Sequence, residues 1–138
     1  MNLKKIMNTF CLCTLLKSNL LFSDVSITKP SKKFFKDHKD LIIIDIRPEE
    51  EVWASGKVYC AKNIPLYDDK GNMILKEFLE ELKEEVGINK NIAIMCGSGY
   101  RSIQISEILS EKYNYNVINL KGGLNNAIKE GVKIIEVE

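Results

Sequence analysis

A chain of 138 residues is long enough for one packed core and too short for two ordinary domains. Its 20 Lys+Arg nearly balance 19 Asp+Glu, with no basic block beyond short pairs such as Lys32-Lys33, so nucleic-acid binding has no support. The four cysteines, Cys11, Cys13, Cys60 and Cys96, and the single His38 show no metal-ligand spacing, so neither a metal nor another cofactor is expected.

Residues 1–23 differ from the rest. Lys4 and Lys5 precede residues 6–16, a mostly apolar run too short to span a bilayer, which is the pattern of a secretory signal peptide. Asn8 and Thr9 dilute the run, Lys17 interrupts it, and Leu21-Phe22-Ser23 is a poor small-x-small cleavage site, so an ordinary N-terminal helix is the competing reading. The expected division is a signal peptide or N-terminal extension over residues 1–23 and a domain over residues 24–138. An exported protein would work in a periplasm or outside the cell, and a retained one in the cytoplasm. Cys11 and Cys13 fall in the apolar run and read as apolar filler.

Pro30 can occupy the first turn of a helix running through Phe34 and Phe35 to about His38, which reads as an exposed surface residue. Residues 41–44 are apolar, mostly β-branched and too few for a helix, so they read as a strand buried between layers. Pro48 opens a second helix over residues 49–54, and Gly56 stops it. Cys60 is expected to be a buried inert thiol where the chain enters a short extended piece over residues 61–66, with a Cys60–Cys96 disulfide as the alternative in an oxidising compartment. Residues 67–72 are rich in turn formers and read as a loop or hairpin tip rather than a phosphate cradle. Acids and lysines over residues 77–85 interleave with Phe78, Leu79 and Leu82, the pattern of an amphipathic helix with a solvated outer face.

The densest chemistry lies in Met95-Cys96-Gly97-Ser98-Gly99-Tyr100-Arg101-Ser102. Residues 91–95 are mostly apolar, as in a strand buried on both faces, and Ile103, Ile105, Ile108 and Leu109 recur at helical spacing behind the loop. Amides at that helix N-terminus point at the loop and favour a thiolate or a bound anion. Gly97 and Gly99 permit positive φ angles and close backbone approach, and Arg101 adds a fork-shaped positive charge. A strand over residues 116–120, a short helix and an extended piece over residues 132–137 complete the chain.

Strands alternating with helices of about ten residues predict an α/β fold, a three-layer sandwich with a mostly parallel central sheet. Ligands in such sheets bind at the carboxyl ends of strands, where Asp45, Arg47, Cys96 and Gly122 can converge. For Asp45 and Arg47, a buried ion pair or loop cap competes with a direct substrate role.

Three blocks together resemble the rhodanese family: residues 41–47 with the Asp45-Ile46-Arg47 end followed by Glu51 and Trp53; the six-residue loop from Cys96 to Arg101; and Val117-Ile118-Asn119-Leu120-Lys121-Gly122-Gly123. The likeness covers roughly residues 24–138, and at this length a tandem two-domain member is not expected. Where members often carry Gly-His-Ile and then Pro-Gly-Ala, this chain reads Gly56-Lys57-Val58-Tyr59-Cys60-Ala61, and Leu124-Asn125-Asn126-Ala127 stands where many have a tryptophan. The resemblance implies a rhodanese-like fold and a thiosulfate sulfurtransferase-like activity. Sulfane sulfur would pass from a small donor through a Cys96 persulfide to a thiol or cyanide acceptor, with no cofactor. It makes Cys96 the nucleophile and Arg101 a donor contact or a brace bonding loop carbonyls. Gly97, Ser98, Gly99, Tyr100 and Ser102 would form the anion cradle and its rim, with Asp45 and Arg47 in support. The alternatives are a cysteine-dependent phosphatase or arsenate reductase, whose loop is one residue longer, a non-catalytic protein-binding module, and a dithiol redox protein using Cys60.

Overall fold

The computed structural model describes residues 25–138. The expectations for residues 1–23, including export and the placing of Cys11 and Cys13, lie outside the described residues. In Asn91–Met95 successive side chains point to opposite faces of the sheet and nearly all are apolar, so this strand buries both faces. Ile92 and Ile94 pack with Phe78, Leu82, Ile105 and Leu109 on one side. Ala93 and Met95 pack with Phe34, Phe35, Leu124 and Ala127 on the other. Two helical layers against one sheet follow directly from that alternation.

The elements run β1 Val25–Thr28, α1 Lys32–Asp37, β2 Ile42–Asp45, α2 Glu49–Ser55, β3 Lys57–Val58, β4 Ala61–Asn63, α3 Leu75–Glu85, β5 Asn91–Met95, α4 Tyr100–Tyr113, β6 Asn116–Leu120, α5 Gly123–Lys129 and β7 Ile134–Ile135. The main sheet has the order β1-β6-β5-β2-β4, and every neighbouring pair in it is parallel. The three-layer α/β sandwich expected from the sequence is therefore the fold. A second, two-stranded ribbon joins β3 and β7 antiparallel. Phe78 is completely buried, and such burial contributes about 1.5–3 kcal/mol. No helix among the described residues is long and apolar enough to cross a membrane.

Local signals set most boundaries. Ser31, not Pro30, caps α1: its Oγ accepts from the Phe34 amide at 3.1 Å, and Pro30 stays outside the helix. His38 is exposed at the other end, with its ring stacked on Phe34. Pro48 and Gly56 bound α2 as expected, Gly56 taking φ 72° where a Cβ would meet the Ile135 carbonyl oxygen at 2.6 Å. Residues 67–72 form a turn whose Asp68 carboxylate accepts from the amides of Lys70 and Asn72.

Cys60 departs from expectation. It is exposed, in the turn between β3 and β4, a turn held by Lys57 Nζ donating to the Ala61 carbonyl at 2.6 Å and the Tyr59 amide to that of Lys133 at 3.1 Å. Ala61 and Ala93 both lie level with Ile43, so Cys60 sits at the start of the sheet and Cys96 beyond its far end. Two strand spacings and about four residues of rise separate their Cα atoms by roughly 16 Å, against the ~7 Å a disulfide tolerates. An intrachain Cys60–Cys96 bond is incompatible with this sheet.

Candidate functional site

Parallel strands end together, and here the ends of β2, β5 and β6 meet the starts of α2, α4 and α5. Asp45 lies level with Met95, which puts Cys96 one step beyond the sheet. Gly99 is the N-cap of α4 with φ 89°, and a Cβ there would lie 2.5 Å from the Gly122 nitrogen. Glycine is required at 99 on both counts. Gly97 adopts no positive φ and a Cβ would find ordinary contacts, so the freedom expected of both loop glycines is used only at Gly99.

The Cys96 sulfur is buried and faces two polar groups. The Gly99 amide donates to Sγ at 3.1 Å, and the thiol reaches Ser102 Oγ at 3.5 Å. Ser102 is itself buried and donates to the Gly99 carbonyl at 3.3 Å. No side chain caps α4, whose first turn carries Arg101 and Ser102, so the predicted loop closes a residue or two before its arginine. Ser98 and Tyr100 are exposed at the rim, Tyr100 at 78%.

Arg101 does not bond loop carbonyls. Its two terminal nitrogens donate to the two carboxylate oxygens of Glu51 at 2.8 Å each, and the guanidinium lies 5.9 Å from the Tyr67 ring centroid. The hydrogen bonds from Arg101 hold the Glu51 carboxyl below the ordinary glutamate range, and Glu51 in turn holds Arg101 above the ordinary arginine value. A Cβ on Gly97 would lie 3.4 Å from Arg101 Nη2 and 4.0 Å from Glu51 Oε2, so this ion pair is seated on the loop beside Cys96. In front of it lies a groove of about 300 Å³ whose lining includes Glu50, Glu51, Tyr67, Asp68, Asp69 and Arg101.

Asp45 and Arg47 form a separate, buried pair. Arg47 Nε and Nη2 donate to the Asp45 carboxylate at 3.0 and 2.8 Å, while Nη1 donates to Ser55 Oγ and Nη2 also to the Gly56 carbonyl. Both residues are at most 1% exposed. Their partners lie in β2 and around the end of α2, which fits the ion-pair reading rather than substrate contact.

Two contributions escaped the sequence reading. Glu51 stands fifty residues before Arg101, and nothing local marks them as partners. The start of α5 holds the cysteine loop from behind: the Leu124 and Asn125 amides donate to the carbonyls of Cys96 and Gly97 at 2.8 and 3.0 Å. The Gly122-Gly123 pair was the available signal, since Gly123 has φ 53° and a Cβ would lie 2.0 Å from the Cys96 carbonyl oxygen. Gly123→Ala is expected to cost about 2–4 kcal/mol of stability through that overlap and the left-handed backbone, read from urea denaturation midpoints.

Comparison with known proteins agrees with this fold. A family model described as a rhodanese-like domain matches residues 31–130. The chain is 31% identical over 102 residues to a rhodanese domain-containing protein, CG4456, of Drosophila melanogaster, covering 70% of this chain and 90% of that one. It is 26% identical over 102 residues to a sulfurtransferase of Allochromatium vinosum, covering 74% of this chain and 85% of the relative. The fold matches the polysulfide-sulfur transferase homodimer of Wolinella succinogenes with a TM-score of 0.62 at 17% identity, covering 91% of this chain and 90% of that one.

Proposed function

The chain belongs to the rhodanese-like domain family, and on that premise we propose that it is a sulfurtransferase carrying sulfane sulfur through a Cys96 persulfide, from a donor such as thiosulfate to a thiol or cyanide acceptor. The observation that carries this reading is the setting of Cys96 Sγ, with the Gly99 amide at 3.1 Å in front of an N-terminus that no side chain caps. The thiolate attacks the outer sulfur of thiosulfate; the donor's S–S bond breaks and its electron pair leaves on sulfite. The acceptor then attacks the outer sulfur of the persulfide and returns the thiolate. The Ser102 hydroxyl, 3.5 Å from Sγ, can turn from the Gly99 carbonyl to donate to the anionic sulfur. Cys96 is fully buried, so a donor enters by displacing the exposed rim at Ser98 and Tyr100.

Mass spectrometry after incubation with thiosulfate or with a hydropersulfide tests the reading: added sulfur on Cys96, and not on Cys60, supports it, and a Cys96 left unmodified by both donors sinks it. Arg101→Lys keeps the charge but cannot match both Glu51 oxygens with a planar fork. Turnover with thiosulfate and cyanide is expected to fall about tenfold, equivalent to about 1.4 kcal/mol in the barrier. Equal rates in the two proteins would show that a point charge suffices.

A further inference from the structure

The arginine of the cysteine loop is already neutralised. From Cys96 to Ser102 it is the only cationic side chain, and both of its outward nitrogens are taken by Glu51. The groove before it adds Glu50, Asp68 and Asp69, so Arg101 is its single cation among four carboxylates. A neighbouring groove that shares Asp68 and Asp69 is also lined by Glu49, Glu77 and Glu81. The Glu81 carboxyl is pushed up by burial and then by Glu85, Glu49 and Glu84, a sign of dense negative charge there. Like charges in a concave surface add and repel anions on approach.

We propose that Glu51, backed by Glu50, Asp68 and Asp69, is a specificity-determining residue that turns Cys96 away from the thiosulfate dianion and toward hydropersulfides on neutral or cationic carriers. This rests on the sulfur-transfer function and narrows its donor. With a hydropersulfide, the Cys96 thiolate attacks the terminal sulfur, the carrier's S–S bond breaks, and the carrier leaves as a thiolate while the terminal S–H proton stays on the new persulfide. The products are a Cys96 hydropersulfide and the carrier thiolate, with no oxidant or reductant consumed. A carrier bearing an ammonium gains from the same carboxylates that repel thiosulfate.

The test is single-turnover sulfur loading of Cys96, followed by quenched-flow mass spectrometry on the full-length protein, with thiosulfate and with cysteamine persulfide as donors. The wild-type protein should load faster from cysteamine persulfide. Glu51→Gln should raise the thiosulfate-to-persulfide rate ratio about tenfold by freeing the charge of Arg101. Added salt should narrow the wild-type preference more than that of the variant. A Glu50→Gln/Asp69→Asn double variant, which leaves the Glu51–Arg101 pair intact, should shift the ratio in the same direction by a smaller factor. If Glu51→Gln slows both donors in equal proportion, or the ratio ignores both variants and salt, Glu51 only braces Arg101 and the inference fails while sulfur transfer stands. Loading by neither donor in the wild-type protein overturns the function and the inference together.

Discussion

Cys96→Ser is expected to abolish sulfur loading and reduce turnover with thiosulfate and cyanide by at least about a thousandfold, some 4 kcal/mol in barrier height. Serine fits the same volume and can accept from the Gly99 amide that now meets the sulfur at 3.1 Å, so the fold should survive. A hydroxyl, however, cannot form or carry a persulfide. Circular dichroism matching the wild-type protein, with no added sulfur mass, is the supporting pair of results. Residual turnover near the wild-type rate would move the chemistry away from the loop. Cys60 would then be the other thiol to examine among the described residues.

The second large effect is on stability. Asp45→Ala leaves the Arg47 guanidinium, 1% exposed, without the carboxylate that accepts from both Nε and Nη2. An uncompensated buried charge of this kind costs about 3–5 kcal/mol. That is a large part of the 5–15 kcal/mol by which domains of this size are typically stable, so the variant should unfold at markedly lower urea. The double variant Asp45→Ala/Arg47→Met removes the charge as well and is expected to recover much of the loss. A single variant within about 1 kcal/mol of wild type would mean that water reaches Arg47 and the pair is not the buried element described here.

The elements most legible in the sequence are those whose cause is local. Residues 92–95 are apolar on both alternations, which reads as a strand buried on both faces, and the Pro48 and Gly56 signals fixed both ends of α2. The cysteine loop was legible only in company, because a cysteine and an arginine at this spacing arise often by chance and the Asp45-Ile46-Arg47 and Gly122-Gly123 blocks were needed to read it. What escaped depends on approach in space. Glu51 could not be assigned to Arg101 before the sheet had brought α2 beside α4, and the exposure of Cys60 follows from β3 turning out to pair with β7. Gly97 and Gly99 look alike in sequence, yet only Gly99 abuts Gly122, so position in the packed loop decides which glycine is indispensable.

The amides of Leu124 and Asn125 that hold the Cys96 and Gly97 carbonyls come from α5, which follows the cysteine loop in the chain. The groups that shape the loop around the cysteine therefore lie downstream of it in sequence. A nascent polypeptide ending before Gly123 has the thiol but lacks the backing that orients the loop, so the site matures late. The proposed sulfur transfer would therefore wait until β6 and α5 have docked, because only then does the loop have its backing.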